Sequence, residues 1–137
     1  DIHSECINFA LKLTIKLNLF LKSYNTHIRC GISCGECGGG VWDGKTFRLS
    51  GQNINLAARL ESVCQKDHVV LSEHFYKHIC KESPLFKEYL CITKQICDLK
   101  GFGEVYTYNI DLNQYSIETI RNNSYRESFV RESEISI

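Results

Sequence analysis

The feature that most constrains this chain is the stretch 47–62, where a short strand-like run passes through Ser50 and Gly51 directly into a predicted helix. That helix carries Asn55 and Arg59 four positions apart, so both side chains project from the same face. A guanidinium presents a planar fork of donors and stays charged, and a carboxamide adds both donor and acceptor groups. We therefore predict a helix face that holds an oxyanion or a phosphate in a fixed orientation.

Two further segments flank this region. Residues 98–108 read DLKGFGEVYTY, which puts Lys100 at a glycine turn that leads into a strand, and residues 27–35 read HIRCGISCG. Together the three segments resemble the second half of a class III nucleotide cyclase catalytic domain, nearest the soluble adenylyl cyclase type. In that family an Arg-x-Gly-Ile-x-x-Gly strand precedes an Asn-x-x-x-Arg helix and a Lys-Gly-x-Gly turn. The resemblance covers roughly residues 1–110.

The resemblance implies an α/β fold of the α+β sandwich type, a partial ferredoxin-like cyclase palm. Its sheet would be mixed and mainly antiparallel with helices packed mainly on one face, and the alternating strand and helix patterns agree with such layers. We predict helices at 5–24, 51–63 and about 73–80, and strands at 28–34, 68–72, 92–96 and 105–110. We assign residues 1–110 to a partial catalytic domain without its N-terminal metal-binding strands, and residues 111–137 to a polar tail or linker.

The N-terminal segment carries a conflicting pattern. Apolar residues occupy every odd position from Leu11 to Leu21, which read alone indicates a strand, but the run also fits a helical stripe and is long for a strand. The family has a helix here, so we predict a helix buried on much of its circumference and closed by Asn25. Further along, Ser72 is a predicted helix N-cap with Glu73 in the first turn.

The glycine run at positions 35–40 has two interpretations. Its glycines permit positive φ and close backbone approach, so the run could cradle a phosphate, but it lacks the Gly-Lys-Ser/Thr ending of a P-loop. By resemblance the segment is a strand and turn beside a dimer interface. We favour that structural interpretation.

The resemblance also implies roles for single residues in a nucleotide site shared by two catalytic halves. Asn55 would orient the ribose, Arg59 would meet the charge that develops on the α-phosphate as pyrophosphate leaves, and Lys100 would hold the terminal phosphates. Two divalent ions, Mg²⁺ or Mn²⁺, would be bound by missing sequence or by a partner half, since no residue here matches the family's two metal-binding aspartates. The implied partners are a nucleoside triphosphate and a second cyclase half-domain, in a homodimer or heterodimer.

The choice of purine stays open. Arg48 stands where the family reads the base, and an arginine can donate to adenine N1 or to the guanine carbonyl oxygen but cannot accept from the adenine amino group. The helix order Gly-Gln-x-x-Asn-x-Ala-Ala-Arg is closer to soluble adenylyl cyclases, so we favour ATP and cyclic AMP. Two hypotheses follow: part of an active cyclase, inactive as an isolated chain, or a catalytically silent half that regulates an active partner by dimerisation.

Composition excludes several function classes. The 16 basic residues balance 16 acidic ones, which argues against a binder of nucleic acid or of membrane surfaces. No apolar run approaches the roughly 20 residues of a membrane span, and the N-terminus does not read as a signal peptide. A chain of this length and apolar content needs no disulfide framework, so we expect its 8 cysteines to be reduced in the cytoplasm, although a parent protein could be membrane-anchored.

Cysteine and histidine patterns give a third, weaker hypothesis. Cys34 and Cys37 have the spacing of metal or redox pairs and with Cys30 could form a thiol sensor or zinc module, but a second close pair is lacking. His74 and His78 lie four apart on a predicted helix, without the glutamate of a metalloprotease helix between them. We predict surface histidines, small buried cysteines and no metal ligand in this chain.

Overall fold

The structure of this chain, a computed structural model, describes residues 2–82, 87–88 and 90–115. In chain order the elements are helix α1 (Ile2–Lys22), strands β1 (Arg29–Ile32), β2 (Gly38–Trp42) and β3 (Thr46–Ser50), helix α2 (Gln52–Ser62), strand β4 (His68–Ser72), helix α3 (Glu73–Glu82), strands β5 (Ile92–Leu99) and β6 (Gly103–Asp111), and a short 3-10 helix (Leu112–Gln114). Each predicted helix and strand is present; β4 has its predicted bounds, and the ends of the others differ by up to three residues.

The strands form one mixed sheet and one separate hairpin. The four-stranded sheet has the order β1-β4-β6-β5, in which β1 and β4 run parallel and the other neighbours antiparallel. Among the described residues, strands β2 and β3 pair only with each other, as an antiparallel hairpin that interrupts the connection from β1 to α2. The predicted mixed, mainly antiparallel sheet is confirmed.

Helices cover both faces of the sheet unequally. Strand β4 alternates, so that Val69 and Leu71 join the cluster under α1 and α3, whereas Val70 joins the cluster under α2. The first cluster is the larger one and includes Leu11 of α1 and Ile79 of α3. Two of the three long helices therefore share one face, as the resemblance implies, and α2 packs on the other.

The contact of α2 with the sheet depends on Gly31. A Cβ at this position would lie 2.5 Å from the Glu61 backbone nitrogen and 2.9 Å from the Leu60 Cβ, and closer still to the Ala57 carbonyl oxygen. Only a residue without a side chain lets the helix backbone approach β1 this closely. Gly31 thus sets the depth at which α2 sits on the sheet.

Helix α1 confirms the helical interpretation of the N-terminal segment and ends where predicted. Asn25 has φ 54, and the Asn25 and Thr26 amides donate to the Lys22 and Leu21 carbonyls at 3.0 Å each, which closes the helix with a Schellman motif. Most of the helix circumference is at least partly buried. One apolar stripe stays exposed: Phe9, Leu13, Leu17, Phe20 and Tyr24.

Two further predictions concern the start of α3 and the C-terminal end of the chain. The Ser72 hydroxyl accepts from the Phe75 amide at 3.1 Å, so Ser72 is the N-cap of α3 as predicted. At the C-terminal end, Leu112 and Tyr115 are buried in the larger cluster. Residues 116–137, most of the predicted polar tail, and Pro84, the predicted interruption after α3, lie outside the described residues.

Candidate nucleotide site

The helix that carries Asn55 and Arg59 starts at a glycine with positive φ. Gly51 lies between β3 and α2 with φ 126 and ψ 174, and its carbonyl accepts from the Asn55 amide at 3.2 Å. Since residues with a side chain rarely adopt this φ, glycine allows the chain to turn from the hairpin into the helix without a linker. The local sequence Ser50-Gly51 therefore fixes where the first turn of α2 begins.

A second restraint on α2 comes from Asn53. Its Nδ2 donates to the Glu36 carbonyl at 2.7 Å, and the Ser33 hydroxyl donates to the Asn53 carbonyl at 2.7 Å. Gly35 makes room for this side chain, because a Cβ there would lie 2.8 Å from the Asn53 Cγ. The loop after β1, residues 33–36, is thereby tied to the first turn of α2. The sequence analysis missed Asn53, since its partners lie in a segment far away along the chain.

Asn55 and Arg59 lie on the outer side of α2. Leu60 is buried and Leu56 packs beside it, whereas Asn55 is exposed and Arg59 half-buried. Among the described residues, neither the Asn55 nor the Arg59 side chain has a hydrogen-bond or ion-pair partner. One turn apart on a helix, they form a face that a ligand can reach and that no acidic side chain of the described residues neutralises.

Lys100 lies near the same helix. It is exposed in the turn between β5 and β6, and the residues around it, Leu99 and Phe102, pack in the cluster that contains Leu60 of α2. The structure therefore brings the Lys100 turn to α2, which the sequence analysis proposed only by resemblance.

Arg48 is placed differently. It is exposed in β3 opposite Gly40, on the side of the hairpin away from Phe47 and Leu49. It lies two residues before Ser50, where β3 ends. Its role in reading the base stays a prediction.

The family is shown by comparison with known proteins. Residues 1–112 match the family Adenylate and Guanylate cyclase catalytic domain. The chain belongs to this family. A relative, Guanylate cyclase 32E of Drosophila melanogaster, is 31% identical to this cyclase chain over 83 residues, which are 59% of the chain and 7% of that protein.

Solved cyclase structures agree with the fold. The guanylate cyclase domain of RhGC from Catenaria anguillulae in complex with GTP has a TM-score of 0.60 and 26% identity, over 77% of this chain and 57% of that one. The adenylyl cyclase CyaB from P. aeruginosa, at 21% identity and a TM-score of 0.53 over 76% of this chain and 56% of its own, shows the fold alone. This cyclase chain thus spans little more than half the length of the solved chains that it matches.

The thiols of the cyclase chain are free, and of the eight only Cys64 is buried, whereas four are half-buried and three are exposed. All 8 cysteines are unpaired, and burial raises the pKa of Cys30, Cys34 and Cys64 above the ordinary value. A raised pKa keeps a thiol protonated at neutral pH, so these three are not activated nucleophiles. Among the described residues, Cys30, Cys34 and Cys37 do not converge as a group of three ligands, and Cys37 is exposed.

The donor set of the described residues does not fit the divalent ions of the family. Within residues 2–82, 87–88 and 90–115, the one group of three or more potential ligands is Cys34, His74 and His78. Sulfur and imidazole are poor ligands for Mg²⁺ and Mn²⁺, which prefer oxygen. No catalytic step is therefore derived through a metal in this chain. In the same part of the chain, no helix has the length and hydropathy of a membrane span.

Proposed function

We propose that this chain is one part of the active site of a purine nucleotide cyclase, which converts a nucleoside triphosphate to a cyclic nucleotide and pyrophosphate. The observation that carries this proposal is the outer face of α2, where Asn55 and Arg59 stand one turn apart with no partner among the described residues. Around this face, Lys100 supplies a further positive charge from the turn that packs against α2. We assign the ribose to Asn55, the α-phosphate to Arg59 and the terminal phosphates to Lys100.

Rigid support explains why Arg59 can act on a transition state. Gly31 lets α2 pack closely on β1, and Gly51 allows the turn that begins the helix. Asn53 ties the first turn of α2 to the loop 33–36. A charge fixed in place before reaction stabilises developing negative charge without reorganisation, and one such donor is worth about 10²–10³ in kcat. Arg59 should therefore matter more for turnover than for substrate binding.

For the base, the sequence and the relatives point in different directions. The helix order favours ATP, and we keep ATP as the first substrate to test. The Drosophila relative and the Catenaria domain are guanylate cyclases, and Arg48 can donate a hydrogen bond to the guanine carbonyl oxygen. The assay therefore compares ATP with GTP.

We also propose a second cyclase half as partner. The hairpin presents Val41, Phe47 and Leu49 on one side, each more than half exposed, and an apolar face of this kind suits a protein interface. Since the described residues hold no group of three or more oxygen ligands, we assign Mg²⁺ or Mn²⁺ to the partner half or to sequence beyond this chain. The free cysteines suit a cytoplasmic setting.

The experiment measures cyclic nucleotide production from ATP and from GTP with Mn²⁺, by this chain combined with a cyclase half that carries the metal-binding carboxylates. Arg59→Ala is compared with Arg29→Ala, a second arginine near α2 that forms an exposed ion pair with Glu61 at 2.8 Å. We expect Arg59→Ala to lower kcat by about 10²–10³ and Arg29→Ala to leave it within about twofold, as befits a surface pair.

Three outcomes separate the hypotheses. Equal activity of Arg59→Ala and wild type overturns the assignment of Arg59. No product from either nucleotide, with folded protein that still binds the partner half, replaces the proposal with the silent regulatory half. Loss of activity in both arginine variants points to damage to α2 rather than to catalysis.

A further inference from the structure

Three side chains of metal-ligating type converge away from the proposed nucleotide face. The Cys34 sulfur and one ring nitrogen each of His74 and His78 lie within 4.8 Å of one another. Cys34 follows β1, and both histidines stand one turn apart on α3, so two separate elements supply the group. The three residues line one open cavity of about 540 Å³.

We propose that Cys34, His74 and His78 form a binding site for Zn²⁺. The ion takes the cysteine sulfur and two imidazole nitrogens, and its fourth position opens to the cavity. This site is independent of the nucleotide site and does not rest on the proposed function.

The distances between the ligand atoms suit this ion. The His74 and His78 Nε2 atoms are 3.3 Å apart. Two nitrogens held at about 2.0–2.1 Å by one tetrahedral Zn²⁺ are separated by about 3.3–3.4 Å, so the histidine pair already has the required spacing. The sulfur is within 4.8 Å of one ring nitrogen of each histidine. A small closure of the loop or a side-chain rotation brings it to about 2.3 Å from the ion.

The chemistry of the donors selects the metal. Thiolate and imidazole favour Zn²⁺ over Mg²⁺ and Mn²⁺, which are the ions that a cyclase reaction uses. Three protein ligands with an open fourth position are a common zinc arrangement. Cys6 and Glu36 also line the cavity into which the fourth position opens.

Cys34 lies in a loop that contacts α2, so a metal bound at Cys34 also connects α3 to α2. The loop 33–36 is tied to α2 through Asn53 on one side. A metal bound between Cys34 and α3 fastens the same loop on the other side. Zn²⁺ therefore links α3 across the sheet edge to the first turn of α2, and its binding should raise the unfolding temperature of the whole chain.

The test is a titration of the reduced, metal-free 137-residue chain with Co²⁺, which replaces Zn²⁺ in such sites and reports its ligands by absorption. We expect one equivalent to bind, with a sulfur-to-cobalt charge-transfer band and the strong visible bands of tetrahedral cobalt. Zn²⁺ should displace it and abolish both signals.

Variants identify the ligands. Since loss of an outer-shell partner alone lowers metal affinity about 10–100-fold, Cys34→Ser, His74→Gln and His78→Gln should each lower it at least about 100-fold. Cys91→Ser is the matched control, because Cys91 is an exposed thiol just before β5. It should bind as the wild type does. His74 is exposed, so its variant is expected to keep the fold, which the far-ultraviolet circular dichroism spectrum checks.

Each possible result either overturns the zinc site or establishes it. A folded His74→Gln variant that keeps full affinity overturns the site, as does a wild-type spectrum of octahedral cobalt without a sulfur band. Equal loss in Cys91→Ser also overturns it, since the sulfur ligand would then lie elsewhere. Loss in the three ligand variants alone, with a rise in melting temperature on adding Zn²⁺ to wild type, establishes it.

Discussion

Replacing Gly31 by alanine tests how the sheet supports the proposed nucleotide face. The added methyl would lie 2.5 Å from the Glu61 nitrogen and 2.9 Å from the Leu60 Cβ, whereas ordinary contacts begin at 3.4 Å. Both neighbours belong to the body of α2, so the helix must withdraw by about 1 Å, and a gap of this size forfeits about a quarter to a half of the dispersion attraction at the contact.

The magnitude follows from two opposing effects. Overpacking at a buried contact lowers the free energy of unfolding by about 1–3 kcal/mol. Alanine also restricts the unfolded chain, which stabilises the protein by about 0.4–1 kcal/mol. The clash is the larger effect, so we expect Gly31→Ala to lower the free energy of unfolding by about 1–2 kcal/mol.

Urea denaturation followed by circular dichroism measures this change, provided that the slope with denaturant stays that of wild type. Gly40→Ala is the matched control, because a Cβ at Gly40 meets nothing within 4 Å. It should stay within about 0.5 kcal/mol of wild type or gain slightly. The reasoning fails if Gly31→Ala is as stable as wild type, or if the two alanines cost the same.

Further predictions concern the buried acid and the helix cap. Burial alone would raise the pKa of Asp67. The carboxylate accepts hydrogen bonds from His27 at 2.8 Å and from the Ile28 amide at 3.3 Å, and these bonds together with the electrostatic effect of His27 bring the pKa of Asp67 below its usual value. The ionised carboxylate therefore stabilises the fold above the unfolded pKa of about 3.9, and this contribution is lost as pH falls through the lower folded pKa. Asp67→Asn should cost about 1.5–3 kcal/mol at pH 7 and flatten the acid side of a stability-pH curve; an unchanged acid side would contradict this. Ser72→Ala should cost about 1 kcal/mol in urea denaturation and Ser72→Gly only a few tenths, and equal losses would argue against the cap to Phe75.

Local signals in the sequence predicted much of the fold. Asn25 and Ser72 end and begin helices by side-chain and backbone chemistry that acts within a few residues, and both predictions are confirmed. Strand β5 was predicted at 92–96 but runs Ile92–Leu99, because residues 97–99 pair with residues 103–105 of β6. The sequence of a single strand does not reveal that pairing.

Contacts across the fold were the part that sequence could not predict. Asn53 and its partners lie on separate elements, and the Cys34 sulfur meets His74 and His78 only because the end of β1 comes beside α3. The two histidines were predicted to be surface residues, since helical spacing alone cannot show what approaches from another strand. The roles of Asn55 and Arg59 rest on resemblance, and they remain predictions.

Several residues that support α2 on the sheet are synthesised after α2 itself. Asn55 and Arg59 leave the ribosome before β4 and the β5–β6 turn, yet the cluster that supports α2 needs Val70 and Leu99. Strand β1 likewise waits for β4, its parallel neighbour, which comes after the hairpin and α2 in the chain. A nascent chain that has just completed α2 thus carries Asn55 and Arg59, but it lacks Lys100 and the surface that holds α2 in place. The binding geometry is a property of the finished domain and arrives only with its last strands.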